Sequence, residues 1–197
     1  METSDGYILK IFQVRLTENQ LKKLPVKLQQ NQDRQILIQH AWVDSGDSFF
    51  ITDNSVGFYL VHQGFDVWVG NNRGNKYSRR VISEITQTST NEKFFDFSFQ
   101  EMGIYDQVAC YKYILGMYSP THRGTDKKRK ITYIGLSQGT AQMFVGLLEE
   151  QTSDYLTENT EKFIAFNPIV FMGHVETTVL KIFGKLVHSR LISSNVS

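Results

Sequence analysis

Short apolar runs alternate along this chain with longer stretches in which apolar residues recur every third or fourth position. The first pattern predicts strands and the second helices. Tyr7 to Leu16 reads as a half-buried strand, and Ile36-Leu37-Ile38-Gln39-His40 as a short apolar run of the buried parallel kind. Asp53 to Gln63 predicts a helix with Val56, Leu60 and Val61 on one side. Phe65 to Val69 predicts the next strand, and Gly70 to Tyr77 a loop rich in Gly and Asn. Ser98 and Glu101 have capping-box spacing, and Phe97 and Met102 are placed for a hydrophobic staple. From there Ile104, Val108, Tyr111 and Leu115 form one helical stripe, which Gly116 and Pro120 bring to an end. Ile131-Thr132-Tyr133-Ile134 predicts a buried strand, followed by a helix from Ser137 to about Glu150. Phe163 to Phe166 predicts another short strand, closed by Asn167-Pro168. This alternation points to an α/β domain with a mainly parallel sheet.

Length and composition narrow the class. A chain of 197 residues, 41% hydrophobic and 13% aromatic, suits one globular domain with a sizeable core. Lys and Arg number 21 against 20 Asp and Glu, a net charge of +1, which leaves no electrostatic footprint for nucleic acid. The basic run Asp126 to Lys130 precedes an apolar strand and reads as a solvated loop. The single cysteine, Cys110, forms no internal disulfide and reads as a small buried hydrophobe. No apolar stretch approaches the ~18 residues needed to span a bilayer. Met1 is followed directly by Glu2, Thr3, Ser4 and Asp5, so the start carries no secretory signal pattern.

The chemistry concentrates at Gly135-Leu136-Ser137-Gln138-Gly139, a G-x-S-x-G sequence between an apolar strand and a helix. That context marks a nucleophile elbow, in which a tight turn lifts the serine hydroxyl clear of the sheet. Glycines are needed on both sides because strand and helix cross there at close range. The N–H of Gln138, at the positive end of the helix dipole, points where an oxyanion would form. The alternative is an ordinary serine in a glycine-rich turn. A second donor is expected from the loop after an earlier strand, and His40-Ala41-Trp42 occupies that place. The Trp42 backbone is the candidate donor, while His40 reads as a structural histidine at a strand end.

Several longer stretches then carry a resemblance. They are Asp66-Val67-Trp68-Val69-Gly70-Asn71-Asn72-Arg73-Gly74-Asn75, Phe95-Asp96-Phe97-Ser98-Phe99, Glu101-Met102-Gly103-Ile104-Tyr105-Asp106, and Ile131 to Thr140. With them, from Asp5-Gly6-Tyr7 to about His174, the chain resembles the acid lipase family of α/β-hydrolases, which includes the gastric and lysosomal acid lipases. Read alone, the Asn-rich and Phe-rich segments hold no catalytic groups and are expected to fix loops and pack the core. The resemblance implies hydrolysis of neutral lipid esters, acylglycerols or sterol esters, through an acyl-enzyme on Ser137. It implies oxyanion donors at Trp42 and Gln138, no cofactor and no metal, a lipid ester at a lipid–water interface as partner, and secretion or a lysosomal address. The family usually has His-Gly where this chain has His40-Ala41, and His before the nucleophile where this chain has Leu136. Ala41 costs little unless its position needs positive φ.

In this fold the acid and the histidine of the triad follow the serine in that order. The family carries both far downstream, so neither is expected in this chain. The local substitutes would be Asp154 with His174 or His188, but Asp154 sits in a polar run that reads as a solvated helix exit. The expectation is an incomplete α/β-hydrolase fold: residues 1–174 as the N-terminal part of the core, 175–197 as the start of a cap or a terminal amphipathic helix. Val175, Val179, Ile182, Phe183, Leu186, Val187 and Leu191 supply that helix's apolar stripe. Such a chain alone would be inactive, with the Phe163–Phe166 strand left as an open edge. Two other readings stand beside it: a non-catalytic relic that binds lipid or a protein partner, and the same fold acting on a thioester or peptide.

Overall fold

The computed structural model describes residues 1–82, 92–118 and 129–170. Among these there are seven strands: β1 (Tyr7–Ile8), β2 (Ile11–Val14), β3 (Gln35–Gln39), β4 (Asp66–Gly70), β5 (Arg80–Val81), β6 (Ile131–Leu136) and β7 (Thr160–Phe166). The helices are α1 (Glu18–Leu21), α2 (Val26–Gln29), α3 (Val56–His62), α4 (Phe99–Glu101), α5 (Gln107–Gly116), α6 (Gln138–Leu148) and α7 (Glu150–Asn159). Five strands make one sheet in the order β2-β4-β3-β6-β7, and β1 pairs with β5 beside it. Within the large sheet only β2 runs antiparallel to its neighbour.

Burial on both faces explains why β3 and β4 read as continuous apolar runs. The register sets Leu37 beside Trp68 and Tyr133, facing Cys110, Tyr111 and Ile114 of α5, Met143 of α6 and Leu156 of α7. Ile36, Ile38, Val67, Val69 and Ile134 line the opposite face, under Phe49 and Val61. The chain steps from β3 outward to β4 through α3, then returns past β3 to β6 through α5. That reversal lies between β3 and β6, and the carboxyl ends of two such strands are where an open α/β sheet forms its crevice.

The strand expected over Tyr7–Leu16 is broken in two. Leu9 N–H donates to Met1 O (2.8 Å) and Lys10 N–H to Ser78 Oγ (3.0 Å), so the chain leaves one sheet there and enters the other. The helix expected from Asp53 starts at Val56, because Thr52 N–H is taken by Ser55 Oγ in a turn (2.9 Å). At Ser98 the capping box forms: Ser98 Oγ accepts from Gln100 N–H (3.0 Å), and Glu101 accepts the Ser98 N–H (2.6 Å). The helix beyond it is not uniform, since Met102–Asp106 make a π turn before α5 resumes. The wide turn adds a residue. The inward face therefore continues through Gln107, Cys110, Tyr111 and Ile114, and Val108 and Leu115 of the expected stripe are only half-buried.

The single helix expected over Ser137–Glu150 is two. Glu149 adopts an extended conformation (ψ 124°), and Thr152 Oγ1 donates to Gly146 O (2.7 Å) to hold the corner. A Cβ at Gly146 would lie 2.6 Å from Leu156 Cδ1, so the missing side chain lets α7 fold back on α6. The run read as a solvated exit is thus the first part of α7, with Thr152, Leu156 and Asn159 buried. Short α1 was also unanticipated, although Thr17 and Gln20 form its capping box. β7 begins three residues before the expected Phe163 and stands at one end of the described sheet, with Ile164 and Phe166 exposed. The stripe at Val175–Leu191, His174 and His188 lie outside the described residues.

Two of the resembling stretches and the Asp5-Gly6-Tyr7 segment meet around one buried cation. Arg73 bonds Asp106 through Nε (2.8 Å) and Nη2 (2.7 Å), and its backbone N–H bonds the other oxygen (2.9 Å). Nη1 and Nη2 reach both oxygens of Asp5 (2.6 and 3.0 Å), and the Tyr7 ring lies 4.0 Å beneath the guanidinium. Arg73 and Asp106 are both buried. Burial pushes the Asp106 carboxyl up to about 6, against the opposing pull of Arg73. Removing one member of such a cluster strands the opposite charge in a low dielectric. Arg73→Met is expected to lower stability by about 3–5 kcal/mol, read as the shift in the denaturant midpoint at constant slope; a loss below ~1 kcal/mol would show that the cluster is not a structural tie.

Candidate active site

One residue separates β6 from α6, and it is Ser137. Its backbone sits at φ 52°, ψ −111°, a region that side-chain-bearing residues rarely occupy. Such a conformation costs on the order of 1–3 kcal/mol and persists only where its surroundings over-determine it. Here they do. Ser137 N–H donates to Phe166 O at the end of β7 (2.9 Å), while Ser137 O accepts from Thr140 N–H (2.9 Å) and Thr140 Oγ1 (2.6 Å). Thr140 Oγ1 in turn accepts from Ile169 N–H (2.9 Å), tying the exit of β7 to the turn. The flanking glycines are sterically required. A Cβ on Gly135 would fall 2.7 Å from the Gly139 backbone, and one on Gly139 would fall 2.6 Å from Gln39 O and 3.1 Å from His40 O.

That second contact draws the loop after β3 against the first turn of α6. His40 opens this loop and is buried. Its Nε2 accepts the Asn72 backbone N–H (3.1 Å), a group that can only donate, so Nε2 carries no proton. The hydrogen is therefore on Nδ1, which donates to Ala41 O (2.7 Å). Burial lowers the His40 pKa, in agreement with a neutral ring. His40 is thus the structural histidine that its position suggests, with no lone pair to offer Ser137. Trp42 follows, 49% exposed, and Val43 holds a positive φ of 57° with 85% of its surface exposed.

Gln138 is the first residue of α6, so its amide is among the N–H groups a helix leaves without an internal acceptor. Its side chain is turned aside, donating to Met102 Sδ (2.9 Å). Asp154 is exposed on α7, the helix that leads into the amino end of β7, whereas Ser137 follows the carboxyl end of the adjacent parallel strand β6. It is not brought to the serine. Of the described histidines, His62 is exposed at the C-terminal end of α3, which leads into the amino end of β4. No histidine among the described residues is therefore presented to Ser137. Nor do the described residues include a cluster of His, Cys, Asp and Glu able to hold a metal ion, or a helix long and apolar enough to cross a membrane.

Sequence reasoning missed a set of buried amides beside the elbow. Gln39, Asn72, Gln142 and Gln107 form one hydrogen-bonded chain from β3 to α5. The signal available was the polar character of Gln39 and Gln142 within otherwise buried elements, which periodicity alone reads as noise.

Residues 35–153 match the family model for the alpha/beta hydrolase fold. Triacylglycerol lipase 1 of Arabidopsis thaliana is 31% identical over 183 residues, covering 92% of this chain and 40% of that protein. Gastric triacylglycerol lipase of Bos taurus is 31% identical, covering 93% and 41%. Lipase member M of Homo sapiens is 32% identical, covering 89% and 37%. The chain thus spans about two-fifths of the length of these relatives.

Two outcomes test the geometry. Gly139→Ala is expected to cost about 1–3 kcal/mol or more, since the contacting atoms are backbone, whereas Gly116→Ala, with open space around it, should gain about 0.5–1 kcal/mol. Equal effects in thermal melts would contradict the packing at the elbow. His40, neutral when folded and protonated below its ordinary value when unfolded, contributes stability that is lost as pH falls below about 6.5. The difference in Tm between the parent and His40→Asn should therefore narrow from pH 7 to pH 5; a constant difference would show that His40 is not buried neutral.

Proposed function

Since the chain belongs to the α/β-hydrolase fold family, among proteins similar to its acid lipases, we propose that it is the nucleophile-bearing part of a serine hydrolase of neutral lipid esters, acylglycerols or sterol esters. The observation that carries this is the positive φ of Ser137 between β6 and α6. Backbone strain of this kind clusters at active sites, where it is part of the mechanism. Ser137 Oγ attacks the ester carbonyl, the alcohol leaves, and water hydrolyses the acyl-enzyme. The developing oxyanion is held by the backbone N–H groups of Gln138, at the α6 N-terminus, and of Trp42. Ala41 and Leu136, where the family usually has Gly and His, remove no reacting group.

The order serine, acid, histidine puts the general base and its carboxylate partner after Ser137, and because this chain covers about two-fifths of its relatives' length, both are assigned to the remainder of the whole protein. On this proposal residues 1–174 belong to the first part of the hydrolase core, with 175–197 assigned to the start of a cap or to a terminal amphipathic helix. Residues 1–197 alone would lack a base, a loss on the order of 10⁶ in turnover. The relatives named as triacylglycerol lipases support a lipid ester as substrate; a lipid–water interface as the working place and a secreted or lysosomal address belong to the same proposal through the acid lipase resemblance. Nothing in this mechanism calls for a cofactor.

In the full-length protein a fluorophosphonate is expected to label one serine, and Ser137→Ala should abolish both labelling and ester hydrolysis. Labelling that survives the substitution would sink the assignment.

A further inference from the structure

Asn72, in the loop after β4, makes three buried hydrogen bonds that reach different elements. Its backbone N–H donates to His40 Nε2 (3.1 Å), its Oδ1 accepts from Gln39 Nε2 (2.7 Å), and its Nδ2 donates to Gln142 Oε1 (2.8 Å). Gln142 continues the chain by donating to Gln107 Oε1 on α5 (3.1 Å). All four amide side chains are buried. The members constrain one another: each bond pairs an NH₂ with a carbonyl oxygen, and reversing one inner amide alone would set donor against donor.

Resting on the assignment of Ser137, Gln138 and Trp42 above, we propose that Asn72 is a positioning residue that sets the separation of the two oxyanion donors. Gln39 and His40, whose Nδ1 also holds Ala41 O (2.7 Å), lead directly to Trp42. Gln142 stands one helical turn beyond Gln138 on the same helix. One side chain therefore ties the strand end that carries one donor to the helix that carries the other. No solvent is at hand to replace either bond, because the amides are buried. A displacement of ~1 Å between catalytic groups costs on the order of 10² in rate, and loss of an oxyanion donor about 10²–10³. The oxyanion is absent from the bound ester and develops only toward the tetrahedral intermediate and its transition states, so the cost should fall on kcat rather than KM.

The test uses the full-length protein with Asn72→Leu and Gln142→Met, singly and together. Measured are kcat and KM on a short soluble ester, and affinity for an alkylboronic acid that forms a tetrahedral adduct with the serine. Each single variant is expected to lower kcat by about 10- to 100-fold with KM unchanged, and to lower boronate affinity by the same factor. The double variant should be no slower than the slower single one, because both cut the same link. Unchanged kcat, a loss carried by KM, or additive losses would overturn the inference. Gln142→Met leaves the bonds to Gln39 and His40 in place, so it carries the test if Asn72→Leu fails to fold. Turnover that persists in Ser137→Ala would instead defeat the assignment of the nucleophile. Turnover that needs Ser137 but is indifferent to both amide variants defeats this inference alone.

Discussion

The first turn of α6 crosses the carboxyl ends of β3 and β6 at backbone contact distance, and the site depends on that closeness. Any Cβ at Gly135 or Gly139 would hold the helix away from the sheet. With both absent, the chain turns from strand to helix through one residue, and that residue pays in a positive φ. The same contact sets the loop after β3 beside the N-terminus of α6, so the candidate oxyanion donors come from two elements that must touch. Phe166 O and Thr140 Oγ1 then hold the strained turn from the side of β7.

Close crossing of backbone elements leaves little room for water, so polar groups near the elbow must find partners within the protein. The amide chain through Asn72 is one solution, and the cluster of Arg73 with Asp5 and Asp106 is the other. They begin at adjacent residues of a single loop. One side of that loop therefore faces the elbow, while the other anchors the N-terminal segment and the π turn ahead of α5. This arrangement accounts for a loop rich in Asn and Gly without any reacting group of its own: it supplies fixed hydrogen bonds from a backbone that must bend sharply.

Much of this was legible before the fold. The strands at Ile36 and Ile131, the capping box at Ser98 and the glycine spacing around Ser137 depend on residues within a few positions of one another, and each lies where the pattern puts it, within a residue or two. The failures also have physical causes. Periodicity carried the Ser98 helix straight through, but the π turn shifted its buried face by a residue. The polar run after Glu149 looked solvated because Thr152 is its one buried residue, and α7 is held by Gly146, Tyr155 and Leu156 rather than by an apolar stripe within that run. The strand at Tyr7 looked continuous because its apolar pattern does not record that Leu9 and Lys10 bond to different partners.

By itself, then, the sequence determined the local elements and the glycine-flanked turn around Ser137, since propensity, capping and close glycine pairs act between residues a few positions apart. It could not determine which polar residues would meet. Asn72 finds Gln142 across 70 positions, and Arg73 finds Asp5 across 68. Nothing in the intervening chain encodes those distances. They come into being only when the sheet order, with its reversal between β3 and β6, stacks the loop after β4 against α6. Burial then decides the matter, because a buried amide or charge without a partner costs more than the ordering its partner requires.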